Sequence, residues 1–167
     1  LFSNDTAAES DVQTLKSFDN DGFTVAMGTG AQSGTNQNTT TMVGWSWKAG
    51  GSSDTFNIDG TGYATASAAG LSGGDITPTG ASINTTSGFS IIGYVGNNTA
   101  NQTIKHGLSS DPELTIIKSR TPPSNNAQWQ ISSSHIGDKY IYFTTAAAAG
   151  TAGVFPTSGD ATTVTRR

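Results

Sequence analysis

Cysteine is absent from the 167 residues. That excludes disulfides, thiolate metal sites and cysteine nucleophiles. Charge is scarce: 8 Lys and Arg stand against 12 Asp and Glu, 12% of the chain, for a net charge of −4. Globular domains usually carry about 25% charged residues. A mildly acidic chain with no basic stripe is not expected to bind nucleic acid or to be steered onto anionic lipid. Long apolar runs are missing too. The alanine run at residues 146–149 falls far short of the roughly 20 residues a membrane helix needs, so no membrane insertion is expected. No basic start feeding an apolar stretch marks a signal peptide. The two ends, Leu1-Phe2-Ser3-Asn4 and Thr163-Val164-Thr165-Arg166-Arg167, both read as strands, and a fragment of a longer protein is expected.

What remains is Gly, Ser, Thr and Asn around short apolar segments. The apolar positions mostly alternate or form short runs, the mark of strands. Phe23 and Val25 share one face with Met27, and Val43 shares one with Trp45 and Trp47. Residues 88–95 read as a strand buried on both sides. Residues 114–118, 127–132 and 139–145 read as three more. Residues 28–40, 50–53, 96–102 and 121–126 read as loops, and Pro122-Pro123 cannot join a ladder. The one helical candidate is residues 7–18, where Val12, Leu15 and Phe18 could line a short face. Threonine takes the outward positions that charged residues usually fill. Its β-branch suits strand geometry, and its hydroxyl keeps the surface wet. The fold class is all-β, an antiparallel β-sandwich or barrel.

Two internal echoes bear on organisation. Gly22-Phe23-Thr24-Val25 resembles Gly88-Phe89-Ser90-Ile91. Leu1-Phe2-Ser3-Asn4-Asp5-Thr6-Ala7-Ala8 resembles Ile141-Tyr142-Phe143-Thr144-Thr145-Ala146-Ala147-Ala148, 140 residues later. Phe18 and Phe23-Thr24-Val25 find counterparts in Phe155 and Thr162-Thr163-Val164 at a similar spacing. A period near a whole domain predicts tandem repeats cut out of phase, the plain alternative being chance similarity of Thr/Ala-rich segments. Residues 1–50 would then close one unit and residues 51–167 open the next; the alternative is one domain over 1–167. Bare strand edges recruit other chains, so one or both of the strands at Leu1 and Val164 are expected to pair with another copy or with the next part of the same protein.

Three stretches, in order, resemble one family. They are Gly44-Trp45-Ser46-Trp47-Lys48-Ala49-Gly50-Gly51; then Ile58-Asp59-Gly60 through Gly70-Leu71 and Asp75-Ile76-Thr77-Pro78 to Gly88-Phe89-Ser90-Ile91-Ile92-Gly93-Tyr94; and then Ile104-Lys105-His106-Gly107-Leu108 with Asp111-Pro112-Glu113-Leu114, Trp129 and Lys139-Tyr140-Ile141-Tyr142. This order resembles the lectin-like tandem repeats of marine bacteriophage tail-fibre and structural proteins. The resemblance implies a concanavalin-type jelly roll, a virion location, no catalytic residues and no cofactor. It also implies partners in other copies or neighbouring segments of the same virion protein, with a host-surface glycan as a further partner. The expected function is a non-enzymatic structural or adhesive module of a tail fibre or similar appendage. The alternatives are a carbohydrate-binding lectin domain, a capsid decoration protein, and a depolymerase, which would need a carboxylate pair in a cleft.

Individual residues are weighed against plain structural roles. Trp45 and Trp47, aligned with Val43, read first as core; turned outward, they would stack on sugar rings. Trp129 lies among Asn and Gln and is the better candidate for an exposed platform. Asp19-Asn20-Asp21-Gly22 has the alternating oxygens of a calcium loop, but no closing Glu follows, and a polar turn is the first reading. Asp59-Gly60 and Ser158-Gly159-Asp160 are weaker versions of the same pattern. His106 and His135 read as structural, since no G-x-S-x-G elbow accompanies them. Asp111 and Glu113 flank Pro112 and read as solvated charge rather than a glycosidase pair. Asn-x-Thr sequons at Asn4, Asn38, Asn84, Asn97 and Asn101 follow from composition alone.

Overall fold

The computed structural model describes residues 15–26, 35–36, 38–120, 129–136, 139–142, 150–151 and 163–166. The expected strand at Leu1, the turn at Pro122-Pro123 and Ser158-Gly159-Asp160 lie outside them, as do residues 7–14 of the helical candidate. The described chain is all-β, with one short 3₁₀ turn at Ser134–Ile136. Its mainly antiparallel sheets are consistent with a β-sandwich. No helix among the described residues is long and apolar enough to cross a membrane, which says nothing of a β-barrel.

The best-buried sheet has the order β4-β3-β5-β6, built from β3 (Phe56–Ile58), β4 (Thr61–Tyr63), β5 (Gly80–Asn84) and β6 (Phe89–Gly93). The strands β3 and β4 form a hairpin through Asp59-Gly60, with Ile58 opposite Thr61. Both turn residues have positive φ, 50° and 86°, the conformation that suits two-residue hairpins and favours an Asp-Gly pair. Unlike the other ladders, the β3–β5 pair is parallel, with Ile58 opposite Ile83. A parallel pair needs a crossover, and here β4 and residues 64–79 make it. The crossover carries Ala66 and Leu71 onto the sheet. A tight turn fixes them, with Leu71 N–H donating to the Ala66 carbonyl at 2.8 Å.

One face of this sheet is the core. Phe56, Ala81 and Ile83 pack with Ala66, Leu71 and Leu108, flanked by Ile58, Tyr63, Ala69 and Ile92. The period-two rule accounts for the choice, because the register aligns Phe56 with Ala81 and Ala81 with Ile92. Ile83 is 0% exposed. Gly107 passes so close that a Cβ there would meet Ile83 Cδ1 at 2.5 Å, and its φ is +72°.

Three further sheets surround this one in sequence. The strands β1 (Leu15–Asp19) and β2 (Gly22–Val25) form a hairpin. The strand β7 (Gln102–Lys105) pairs with β12 (Thr163–Arg166). A four-stranded sheet has the order β11-β10-β9-β8, from β8 (Leu114–Ile117), β9 (Gln130–Ser133), β10 (Lys139–Tyr142) and β11 (Gly150–Thr151).

Several expectations need correction. Residues 15–18 are strand, not helix. The Asp19-Asn20-Asp21-Gly22 turn directly after Phe18 folds the chain back, so these residues gain ladder bonds with β2. Residues 41–47 lie in no ladder, and Trp45 and Trp47 are 77% and 64% exposed rather than core. Within residues 88–95 only one face is buried, since Ile91 and Val95 are exposed. The strand at Val164 pairs inside the chain, opposite Ile104.

Candidate contact surface

The second face of the β4-β3-β5-β6 sheet carries Asn57, Ser82, Asn84, Phe89 and Ile91, which the register sets side by side. Residues 47–50 lie over it. Gly50 N–H donates to Ser82 Oγ at 2.9 Å, and Ser82 Oγ–H donates to Asn57 Oδ1 at 2.8 Å. Asn57 Nδ2 then donates to the Asp54 carbonyl at 2.9 Å. Asn57 is buried, so this relay satisfies polar atoms that would otherwise be costly. Gly50 has no room for a side chain: a Cβ would lie 1.8 Å from Asn57 Oδ1. The seam therefore fixes where the preceding tryptophans stand.

Trp47 lies flat on Phe89, with ring centroids 5.9 Å apart and planes 9° from parallel. Trp45 extends beyond it into solvent. Gly44 accommodates the Phe23 ring of β2, whose Cζ would be 2.9 Å from a Cβ there. The result is an apolar strip running from exposed Met42 and Val43 through Trp45 and Trp47 to half-buried Phe89 and exposed Ile91. Single exposed apolar residues are ordinary, whereas several neighbouring in sequence, one of them stacked on the sheet, make this segment a candidate contact surface.

Carboxylates around the sheet are used as clamps. Asp59 accepts from Thr85 N–H at 2.8 Å and from the Thr85 hydroxyl at 2.5 Å. Thr85 holds its carboxyl below the ordinary value of 3.8, first by the side-chain and then by the backbone bond, and Lys48 adds a smaller pull. Asp75 is held by Thr103 in the same way, accepting from its hydroxyl at 2.7 Å and its N–H at 2.9 Å, and is lowered for the same reason. The calcium candidates resolve similarly. Asp19 accepts from Thr24 Oγ1–H at 2.7 Å and Ser17 Oγ–H at 2.8 Å, which lowers its carboxyl. Asp21 sits in the hairpin turn. Among the described residues no group of three His, Asp or Glu could hold a metal.

The remaining candidates are dispersed. Trp129 is half-buried just before β9. His106 is buried, and its Nδ1 accepts from Leu108 N–H at 3.1 Å, which places the proton of a neutral ring on Nε2. His135 is exposed in the 3₁₀ turn with Ser134 Oγ 3.3 Å from its Nδ1. Asp111 and Glu113 are exposed before β8. The Asn57–Ser82–Gly50 seam escaped sequence reading because Ser and Asn in a Gly-rich stretch look like loop. The Asp59-Gly60 turn between two apolar runs was the available signal.

An all-β module with an outward aromatic strip is the class these features define. The chain belongs to the family described as "Domain of unknown function (DUF7483)", whose model matches residues 1–80 and again residues 72–166. No curated protein and no solved structure matches the chain.

Proposed function

We propose that the chain is a non-enzymatic structural and adhesive module of a bacteriophage particle, part of a tail fibre or similar appendage. The strip at residues 42–47 is its contact surface. The observation that carries this reading is the exposure of Trp45 and of Trp47, the latter stacked on Phe89 of the sheet. Indoles offer large contact area at small entropic cost, so they anchor interfaces. The double match to one family model suits a protein that strings like modules together. Module after module presents the same weak contact, and avidity raises the overall grip without a tight single site. A jelly-roll arrangement of the complete unit belongs to this proposal. So does the assignment of its partners: other copies or neighbouring segments of the same virion protein.

Antibody labelling of purified particles tests it. Label on an appendage is the expected result. Label on the capsid shell would favour a decoration protein, and particles lacking the chain would overturn the virion assignment.

A second reading is carbohydrate binding, favoured by the exposed Trp45 ring with Lys48 close by in sequence. Glycan-array binding that disappears in both Trp45→Ala and Trp47→Ala, with the fold intact, would establish it. Trp129 is less exposed, so Trp129→Ala is expected to matter less.

A further inference from the structure

We infer that β2 is a docking edge for the Gln102–Lys105 strand of a neighbouring copy of this unit, taking on it the place and register that β12 holds inside the chain, so that the two strands are alternatives for one edge. This rests on the tandem-module reading above and names the partner. Two observations carry it. First, β2 and β12 are equivalents in sequence. Asp21-Gly22-Phe23-Thr24-Val25 matches Asp160-Ala161-Thr162-Thr163-Val164, sharing Asp, Thr and Val at the same spacing. The wider echo of residues 1–8 in residues 141–148 has nearly the same offset, and the family model matches both parts of the chain. Second, β12 has a known partner. It runs antiparallel to β7, with Val164 opposite Ile104 and Thr163 opposite Lys105. Equivalent strands take equivalent partners, so Val25 should face Ile104, and Thr24 should face Lys105, of the second copy.

The setting of β2 agrees. Among the described residues its ladder is with β1 alone, and an isolated two-stranded hairpin is marginal in water. Phe18 is 86% exposed, and Leu15 and Phe23 are also exposed. A third strand would supply main-chain hydrogen bonds along β2 and cover part of this apolar surface, the physics of strand addition. The added strand would lie close to Gly44 and the tryptophan strip, because Phe23 already touches that segment. One contact would then join the hairpin and the strip.

The cysteine-free chain allows a clean trap. Full-length Val25→Cys is incubated in a thiol–disulfide buffer with a synthetic peptide of residues 99–108 carrying Ile104→Cys. Disulfide yield is expected to exceed, several-fold, the yield with the same peptide carrying the cysteine in place of Gln102, or with a scrambled peptide. Full-length Val164→Cys serves as the reference for the internal pairing. Without any cysteine, the unmodified peptide should slow amide exchange at Phe23, Thr24 and Val25. Yields at position 25 that do not depend on register, together with unchanged exchange in β2, would overturn the inference. The two proposals fail separately. Particles that contain the chain while the peptide does not bind would remove only the strand partner. Peptide trapping by a chain absent from particles would remove only the virion assignment.

Discussion

Ile83 and Gly107 show how closely single residues constrain this protein. Ile83 is wholly enclosed, so Ile83→Ala should cost about 2–5 kcal/mol, the range for an aliphatic cavity in a packed core. A urea melt of the variant measures it. Gly107 adopts a left-handed φ and abuts Ile83; Gly107→Ala should cost at least about 1 kcal/mol from the backbone alone. The three clamped carboxylates give the pH behaviour. Each is lowered in the folded chain by threonine donors, with Ser17 as well for Asp19. A depressed carboxylate adds stability that is present above its unfolded value and is lost as pH falls through its folded value. Stability should therefore decline as pH drops below ~4. All three carboxylates face solvent, which keeps the effect modest. In Thr103→Val the Asp75 carboxyl should titrate closer to its ordinary value, followed by NMR of the side-chain carbon. An unchanged titration would mean that the Thr103 hydroxyl does not hold it.

Hairpins and their turns explain which strands could be read in advance. Strands at residues 22–25, 89–93, 114–117, 130–133 and 139–142 were visible because bulky apolar residues alternate or cluster there. Strands β3, β4, β5 and β7 were not, since Asn, Gly, Ser and Thr occupy their second faces. Only the fold reveals that buried Asn57 and half-buried Ser82 form a hydrogen-bonded pair. The misread helix at residues 15–18 has the same root. An i, i+3 spacing of Leu15 and Phe18 fits a helix face, but an Asn20-Asp21 turn can set those residues against a returning strand. Turn chemistry decided the outcome over apolar spacing. It also supplies a test: Gly60→Ala, at a φ of +86°, should cost about 1–2 kcal/mol, read from the thermal midpoint. Gly22→Ala lacks a left-handed φ and has open space around it, and should cost less.

Across the molecule, burial is uneven. Residues 56–108 enclose the best-packed core, while residues 15–47 leave Phe18, Val43, Trp45 and Trp47 in water. Sequence reading placed the tryptophans inward, since alternate aromatics beside a valine usually line a core. The polar seam under Gly50 goes with the opposite outcome: residues 47–50 are tied to the sheet, and the residues before them join no ladder and stay exposed. Apolar side chains also reach solvent in the β11-β10-β9-β8 sheet, at Leu114, Ile116 and Ile141. Iodide quenching of variants that keep only Trp45 or only Trp47 tests the exposure of these two indoles most directly. In the isolated chain both should emit at long wavelength and quench nearly as readily as free tryptophan. Short-wavelength emission resistant to iodide would place the indoles in a core and contradict the outward contact strip.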